Sequence, residues 1–427
     1  MIESNPHLLL GASGRNTGIV CTGVDAPMGS LERCLIRDSI SQIRPFCKQM
    51  NIPIRECGSL VCTWTPEQTD PLQKIAAESW DAGDKQVAIL DAIAVQQMEP
   101  AISKRVAGAV HIPGEIVVDP WLFSIAFAVR ARGNGAKIYT NFEFDSENSF
   151  FDASTSTFNK KEVRGTRNAN FDPITPASLK AKIIINAAGI YADTVQLQTF
   201  GIPPPPFEMK PRRGQYILLR QSSSSPLLLR PIQSIPTQHS KGIFVFSSLY
   251  DQIIIGPTAT DQISRPDETV DPATATELVL HGRQVLRDFD KTLLMESNAL
   301  STTSPSYIGE YVGIRTATTH RDYQIMVYHK ERWLTVAGIR STGLTASLGI
   351  GNYVARCIEN LEGERTEATS LKKCIPVTNP LPPLSSLVEQ FHKSGEERSV
   401  TINQHTYCVT HPITYFGWKA RTGLANK

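Results

Sequence analysis

The chain has 427 residues, of which 41% are hydrophobic and 20% are charged, an ordinary mixture for a globular protein of two or three domains. Its 43 Lys and Arg residues nearly balance its 41 Asp and Glu residues, which excludes an acidic tail protein and argues against strong nucleic-acid binding. Eight scattered cysteines without a CxxC pair predict no metal site and favour a reducing compartment over a disulfide framework. No apolar run approaches the length of a membrane span.

Helices and short strands alternate through the first 200 residues. The segment KIIINAAG has the branched apolar run of a buried parallel strand, and it ends in small residues, where the backbone must approach something closely. Helical spacing of apolar residues and strand-type composition predict the other elements. The helices are predicted over 30–50, 70–81 and 121–132, and the strands over 56–65 and 182–189.

The remaining sequence predicts a second sheet. Short runs rich in β-branched and aromatic residues, at 215–219, 242–247 and 252–256, are typical of an antiparallel sheet. One long amphipathic helix or two follow over 271–297, with Leu278, Leu280, Val285 and Leu286 on the apolar side. The last predicted elements are hairpin strands at 323–328 and 333–337, a helix at 341–360, and an extended or partly ordered tail from 365.

Three glycine-bearing segments carry candidate chemistry. Residues 11–18, GASGRNTG, here called the glycine loop, can offer N–H groups and one Arg to a phosphate or a flat cofactor, although an ordinary turn also explains them. The strand end 186–189, NAAG, can admit a dinucleotide or simply allow tight strand–helix packing. Residues 338–345, GIRSTGLT, place a helix N-terminus after a glycine turn, where Thr345 also suits a plain N-cap.

Seven motifs in one order carry a resemblance to a known family. They are GASGRNTG, VDP before a helix, KIIINAAGIYAD, PRRGQYILL, KGIFV with IIIGPTATD, YVGIRT and GIRSTGLTASLGI. From about Glu3 to Asn360 the chain resembles the FAD-dependent oxidoreductases of the D-amino-acid oxidase (DAO) superfamily. Within them it is most similar to FAD-dependent glycerol-3-phosphate dehydrogenases and oxidases, with the L-2-hydroxyglutarate dehydrogenases as a near branch.

The resemblance implies a mixed α/β fold. An FAD-binding domain with a Rossmann core would face a substrate domain with a mixed, largely antiparallel sheet. The FAD-binding domain is expected from 1–60, 115–200 and 330–365, the substrate domain from 61–114 and 201–329, and a C-terminal extension from 366–427.

The resemblance also implies which residues bind FAD. Glu3 falls where the family has the acid that binds the adenosine ribose, and Ala188 and Gly189 match the strand end near the adenine half. The loop along the flavin and the helix start at its pyrimidine edge are matched by Ser13, Arg15, Asn16, Thr17, Gly343, Leu344 and Thr345.

The substrate residues carried over are mainly cations. Arg315 in GIRT matches the arginine that grips the substrate's anionic group, and a bidentate guanidinium suits carboxylate and phosphate alike. Lys241 in KGIF matches a lysine near flavin and substrate, with an exposed strand-end lysine as the plain alternative. Ser341 is expected to add a hydroxyl contact or to cap the helix. In such enzymes a hydride passes to flavin N5 while a base takes the hydroxyl proton.

Two features depart from the family pattern. Cys21 stands where relatives carry a His that is a favoured base, and a thiol with an ordinary pKa near 8.5 is a poor substitute, so Cys21 is either catalytic or simply packed, and His320 is another candidate base. The family also opens with a strand, a GxGxxG turn and a helix, none of which precedes Glu3 here. We hypothesise a shortened product of a longer flavoenzyme, with weakened FAD binding and an unpaired parallel strand edge. An upstream in-frame GxGxxG segment would support this hypothesis, and an upstream stop codon would refute it.

The leading functional hypothesis is FAD-dependent oxidation of glycerol 3-phosphate to dihydroxyacetone phosphate. The alternatives are oxidation of L-2-hydroxyglutarate or another 2-hydroxy or amino acid, and a catalytically inactive relative. Several cations beside Arg315 would favour phosphate, whereas one arginine with an apolar pocket would favour a hydroxy or amino acid. The expected partners are a small anionic substrate and an electron acceptor, either quinone or oxygen, in the cytoplasm or a mitochondrion. In the tail, a strand-forming or solvated segment explains His405, Cys408 and His411 better than a metal cluster does.

Overall fold

The computed structural model describes residues 1–65, 69–145, 161–167, 176–199, 201–220, 228–236, 242–292, 306–362 and 380–421. Within these ranges the helices are α1 (Leu31–Met50), α2 (Thr69–Asp81), α3 (Ala92–Met98), α4 (Pro120–Gly133), α5 (Ala192–Gln198), α6 (Pro272–Val285), α7 (Phe289–Thr292), α8 (Gly343–Glu362), α9 (Leu384–Lys393) and α10 (Pro412–Ala420). The strands are β1 (Ile19–Val20), β2 (Ile54–Glu56), β3 (Ser59–Thr63), β4 (Ala88–Asp91), β5 (Gly108–Ile112), β6 (Ile116–Val118), β7 (Phe142–Phe144), β8 (Lys161–Arg167), β9 (Pro176–Ala181), β10 (Ile184–Asn186), β11 (Arg212–Arg220), β12 (Ile232–Ser234), β13 (Phe244–Ser247), β14 (Gln252–Gly256), β15 (Thr260–Asp261), β16 (Tyr307–Arg315), β17 (Gln324–Tyr328), β18 (Trp333–Ala337), β19 (Ser399–Ile402) and β20 (His405–Cys408).

The large sheet has nine strands. Its order is β15-β11-β14-β13-β12-β3-β5-β4, with β16 also paired to β11. Every pairing in it is antiparallel except that of β12 with β3. The α6 helix covers one face through Leu278, Val279 and Val285, which are buried against apolar strand residues. The expectation of a mixed α/β fold with a largely antiparallel sheet is therefore confirmed.

The small sheet has the order β10-β18-β17. Its β10 runs parallel to β18, with Ile184 opposite Trp333, and β17 and β18 form the predicted antiparallel hairpin. A separate parallel contact joins the chain start to a later segment, because the Glu3 N–H donates to the Tyr139 carbonyl oxygen at 2.9 Å. The strand β10 differs from the buried strand that KIIINAAG predicts, because its Ile185 is 43% exposed. Among the described strands β10 pairs on one side only, so it is an edge strand of this sheet.

Two regions that the sequence predicts as continuous or nearly continuous elements are each divided into two in the structure. The strand expected over 56–65 divides into β2 and β3 at Gly58, whose φ of +67° lies in the left-handed region that favours glycine. The two halves join different sheets, β2 pairing with β6 and β3 with the large sheet. In the region 271–297, where one helix or two are expected, α6 ends at Val285 and α7 follows. Leu280, which the sequence assigns to the apolar side, is 53% exposed.

The C-terminal module, defined here as residues 380–421, is folded. It consists of α9, the β19–β20 hairpin and α10, so the prediction of an extended or partly ordered tail is wrong for these residues. Its Trp418 is fully buried and lies edge-on to Trp121 of α4, with ring centroids 5.6 Å apart. Burial of side chains of this size stabilises a fold by roughly 2–3 kcal/mol each, which explains why a short segment can hold its structure here.

Candidate active site

The glycine loop is braced by its own side chains. Asn16 spans it, because its Oδ1 accepts from the Gly18 N–H at 2.9 Å and its Nδ2 donates to the Ser13 carbonyl oxygen at 2.7 Å. A Cβ built on Gly14 would lie 1.8 Å from the Leu9 carbonyl oxygen, so only glycine allows this close approach. The backbone of the loop is therefore held in one conformation by the protein itself.

The Arg15 side chain points back into the protein. Its Nη1 donates to the carbonyl oxygens of Gly14 and Thr410, at 2.9 and 3.2 Å, and its Nε lies 3.8 Å from a Glu268 carboxylate oxygen. A Cβ built on Gly313 of β16 would come within 2.6 Å of the Arg15 Cβ, so the loop packs closely on the large sheet. The structure thus shows Arg15 as a brace of the loop, and its direct contact with a cofactor stays a prediction.

The end of the glycine loop is joined to the start of α8. Thr17 Oγ1 accepts from the Ile19 N–H at 3.2 Å, which turns the chain into β1. Just after β1, the Cys21 N–H donates to Thr345 Oγ1 at 3.1 Å. Because Thr345 lies buried in the first turn of α8, this bond fixes the helix N-terminus beside the loop.

The third glycine-bearing bend reaches the same place from the small sheet. Gly189 has a φ of +59°, and a Cβ built on it would lie 3.7 Å from the Thr316 Cγ2. Thr316 in turn donates through Oγ1 to the Ile339 carbonyl oxygen at 2.9 Å, four residues before α8 begins at Gly343. The structure therefore connects the three bends that the sequence singled out through a continuous chain of contacts.

Arg315 lies at the end of β16 with one donor nitrogen unused. Its Nη2 donates to the Thr258 carbonyl oxygen at 2.9 Å, whereas its Nη1 is buried without a hydrogen-bond partner among the described residues. The guanidinium passes over Gly214, where a Cβ would lie 3.0 Å from Nη2. Burial lowers the pKa of Arg315, and the nearby cations Arg212 and Arg340 lower it further. A buried guanidinium with an unused donor is costly, and an anion that accepts from Nη1 would offset that cost.

Arg340, whose charge lowers the pKa of Arg315, and the adjoining Ser341 also carry unused polar atoms. Arg340 Nε and Ser341 Oγ are buried and have no hydrogen-bond partner in the described part of the chain. The nearest carboxylate to Arg340 is that of the fully buried Glu32, 4.0 Å from its Nη2. Arg212, opposite Arg315 in the β11–β16 register, lies 2.9 Å from Asp261, whose side chain is largely exposed to water. Arg315, Arg340 and Ser341 therefore offer several hydrogen-bond donors to an anion.

The segment that carries Arg340 and Ser341 is hydrogen-bonded to α1. Thr342, with a φ of +59°, donates through Oγ1 to Glu32 Oε1 at 2.8 Å. The Tyr323 hydroxyl donates to the Ser341 carbonyl oxygen at 3.0 Å. These bonds fix the backbone just before α8, so the unpartnered side-chain atoms next to Arg315 are held in place in advance.

The remaining predicted site residues fall in different places. Lys241 lies outside the described residues. The His320 ring bonds the Pro206 carbonyl oxygen at 3.1 Å on the exposed surface, and no described contact joins it to Arg315. Glu3 Oε1 accepts from the Asn5 N–H at 2.9 Å. The Ala188 N–H donates to the Asn186 Oδ1, and Leu344 packs on the core that contains α4. Their contacts with a cofactor stay predictions.

Sequence reasoning missed Arg340, Arg212 and Glu32. A signal for Arg340 exists, because it directly precedes Ser341 inside the GIRSTG motif. Arg212 likewise stands in the PRRGQYILL motif, although only the strand register shows that it lies opposite Arg315. Glu32 carries no such local signal, since a contact from α1 brings it near the site. In the described ranges, no cluster of three or more His, Cys, Asp or Glu side chains could hold a metal ion, and no helix is long and apolar enough to cross a membrane.

Comparison with known proteins identifies the family. The DAO family model, described as FAD dependent oxidoreductase, matches residues 1–357. The chain belongs to the DAO family. It is 27% identical to a glycerol 3-phosphate dehydrogenase of Caloramator mitchellensis over 81% of this chain, and it spans 65% of the length of that relative. It is 25% identical to a glycerol 3-phosphate oxidase of Mycoplasma pneumoniae over 84% of this chain and 87% of the relative.

Solved structures of DAO-type enzymes share the fold. The α-glycerophosphate oxidase of Mycoplasma pneumoniae, solved with FAD bound, superimposes with a TM-score of 0.72 at 23% identity, covering 89% of this chain and 91% of that one. A glycine oxidase from Geobacillus kaustophilus superimposes with a TM-score of 0.68 at 19% identity, over 88% and 90% of the two chains. At identities this low, the superpositions show the fold of this DAO chain and nothing about its substrate.

FAD is the cofactor of the DAO family, and the described residues fit its ring end. The glycine loop is followed by Cys21, which is hydrogen-bonded to Thr345 in the first turn of α8, and that first turn contains no acidic side chain that would repel an electron-rich ring edge. The unpartnered Ser341 Oγ and Arg340 Nε lie just before that turn. When bound there, FAD would be contacted by backbone N–H groups of the loop and the helix start.

Proposed function

We propose that this protein oxidises glycerol 3-phosphate to dihydroxyacetone phosphate. The observation that carries the proposal is the buried Arg315 guanidinium with its unused Nη1, standing beside Arg340. A phosphate monoester carries about −1.5 to −2 charge at pH 7 and three acceptor oxygens, so it suits two guanidiniums better than one carboxylate does. Ser341 Oγ supplies a further donor within the same group.

The relatives support the same substrate class. Those named for glycerol 3-phosphate align over 81–84% of this chain. Those named for L-2-hydroxyglutarate, including the human and bovine proteins, align over 52–61% of it at 22–24% identity. A dicarboxylate also carries two negative charges, so 2-hydroxyglutarate is the competing substrate that the experiment must include.

The proposed reaction makes a ketone from a secondary alcohol. The hydroxyl-bearing carbon loses a hydride, its hydroxyl loses a proton, and the C–O bond becomes a carbonyl. Bound FAD supplies the two-electron acceptor for the hydride. Arg315 and Arg340 hold the phosphate, which fixes the position of the reacting carbon. For the proton we retain Cys21 as a candidate acceptor, whereas His320 is turned toward Pro206.

The test uses the full chain supplied with FAD. Dye reduction is measured with glycerol 3-phosphate, L-2-hydroxyglutarate and glycine, and oxygen consumption then distinguishes oxygen from quinone as the final acceptor. We expect reduction by glycerol 3-phosphate. Reduction by L-2-hydroxyglutarate alone would contradict the proposal, and bound flavin that no substrate reduces would support the inactive-relative hypothesis instead.

The Arg340→Gln variant tests the phosphate site directly. Loss of a charge-assisted hydrogen bond is expected to raise the KM for glycerol 3-phosphate by about 10- to 100-fold. Arg356→Gln is the matched control, because Arg356 lies on the exposed side of the same α8 region and its side chain is 57% exposed. Equal KM values in the two variants would remove Arg340 from the substrate site.

A further inference from the structure

The C-terminal module lies beyond the part of the chain that matches the family model. The match ends at residue 357, and the module comprises residues 380–421. Nothing in the DAO assignment therefore gives this module a role. The module nevertheless contacts the glycine loop and the residues just before it.

The module is anchored on the start of α4 by buried polar bonds. Thr414 Oγ1 donates to Asp119, the N-cap of α4, at 3.0 Å, and the Tyr250 hydroxyl donates to the same carboxylate. Trp418 Nε1 donates to the Tyr250 hydroxyl at 2.8 Å. All of these groups are buried, so α10 is fixed relative to the core rather than attached loosely to its surface.

From this anchor the segment before α10 reaches the glycine loop. Thr410 Oγ1 donates to the Leu8 carbonyl oxygen at 3.1 Å, and the Thr410 carbonyl oxygen accepts from Arg15. His411 Nδ1 accepts from the Ile413 N–H at 3.2 Å, so the ring proton is on Nε2. That Nε2 donates to the Asn16 carbonyl oxygen at 3.0 Å.

His411 is suited to this contact because it stays a neutral donor. It is fully buried, and its ring lies edge-on to Tyr311 of β16, with centroids 6.0 Å apart. Burial, with a smaller contribution from the nearby Arg15, lowers the pKa of His411 to about 3. The ring therefore keeps one donor and one acceptor throughout the neutral range.

We propose that His411, together with Thr410, is a positioning residue that holds the glycine loop in the conformation that contacts FAD. The C-terminal module is then a part of the cofactor site, although it touches the cofactor only through the loop. This inference concerns FAD and the loop, so it is independent of which substrate the enzyme oxidises.

The decisive variant is His411→Asn. The Asn Oδ1 takes the place of Nδ1 and can still accept from the Ile413 N–H, but the donor at the Nε2 position is lost. The Asn16 carbonyl oxygen then keeps only the longer bond from the Tyr311 hydroxyl, at 3.4 Å. His392→Ala is the matched control, because His392 Nε2 bonds the Trp418 carbonyl oxygen at the same 3.0 Å within the module and does not reach the loop. Thr410→Val, which removes the bond to Leu8 at nearly equal size, is the second test variant should His411→Asn fold poorly.

Two measurements on the full chain test the proposal. Hydrogen–deuterium exchange of the ligand-free protein should show the loop amides exchanging about 3- to 10-fold faster in His411→Asn, with α10 still protected. The Kd for FAD, from flavin fluorescence, should rise by a similar factor. The control should lower the thermal unfolding midpoint with no change in loop exchange or FAD affinity.

Three outcomes would overturn the proposal. The first is unchanged loop exchange in both His411→Asn and Thr410→Val. The second is an equal loss of FAD affinity in the His392→Ala control, which would indicate a general loss of stability. The third is a wild-type chain that takes up no FAD, because the loop would then have no cofactor to contact. Failure of the glycerol 3-phosphate assay alone would leave these measurements unaffected.

Discussion

The large and small sheets are covered to very different extents. In the large sheet, Ile217, Leu218 and Ile254 are fully buried, and each central strand is paired on both sides. In the small sheet, β10 is an edge strand among the described residues, and Ile185 stands 43% exposed. Arg315 extends from the well-supported large sheet, whereas the Gly189 bend follows the weakly supported β10. Arg315 and the Gly189 bend therefore depend on separate supports and should fail separately.

Arg315→Met should have the largest effect, confined to substrate binding. Loss of a buried charged partner is expected to raise the KM for glycerol 3-phosphate by about 100-fold or more. Because the native guanidinium is buried with an unused donor, the urea midpoint should stay the same or rise in the variant. FAD affinity should be retained. A lower midpoint with an unchanged KM would mean that Arg315 is structural, and joint loss of FAD would contradict the separation of the two supports.

Gly349→Ala tests the cofactor side. A Cβ built on Gly349 of α8 would lie 2.2 Å from the Leu35 carbonyl oxygen of α1, a backbone atom that cannot move aside cheaply. We expect a loss of about 3 kcal/mol in the free energy of unfolding and weaker FAD binding. Gly351→Ala in the same helix, with nothing within 4 Å, should instead stabilise by about 0.5–1 kcal/mol. Denaturant unfolding checks both, and similar values for the two would refute the close packing.

Glu115→Gln tests a buried carboxyl that supports the large sheet at Ser59 of β3. Glu115 accepts from the Thr22 N–H at 3.0 Å and, near β3, from Ser59 Oγ at 2.6 Å. Burial raises the pKa of its carboxyl to about 7, against the hydrogen bonds that lower it. Because the folded pKa exceeds the unfolded one, an ionisation cost appears as pH rises above about 4.5 and is complete above about 7.

The isosteric amide avoids this cost and can keep both hydrogen bonds. The Glu115→Gln variant should thus match the wild type near pH 4 and be about 2 kcal/mol more stable at pH 8, in urea unfolding measured at both values. A stability difference that does not vary with pH would contradict the assignment.

Much of the fold could be predicted from local sequence. The KIIIN run gave a parallel strand, and the two β-branched runs after Tyr323 gave a hairpin, because residue type and alternation are local properties. The division at Gly58 could not be predicted, since ECGSLVCT reads as one strand and only the left-handed glycine directs its halves to different sheets. The C-terminal module escaped prediction because its elements are short and gain stability from distant partners such as Trp121.

The site was predictable where chemistry and motif coincide. Arg315 and Ser341 stand within motifs, and each has a buried polar atom without a hydrogen-bond partner among the described residues. Arg212 joins them only through the β11–β16 register, and His411 reaches the loop from 395 positions away. Contacts of that range leave no periodic trace in a single sequence, so a three-dimensional structure was needed to find them.

The distance between Asn16 and His411 has a consequence for biosynthesis. The ribosome synthesises the glycine loop 395 residues before it reaches the segment that fixes the loop. Until that segment has emerged, the loop has neither His411 nor Thr410 to hold it. Cofactor loading in the cell should consequently follow the synthesis of the C-terminal module rather than that of the loop.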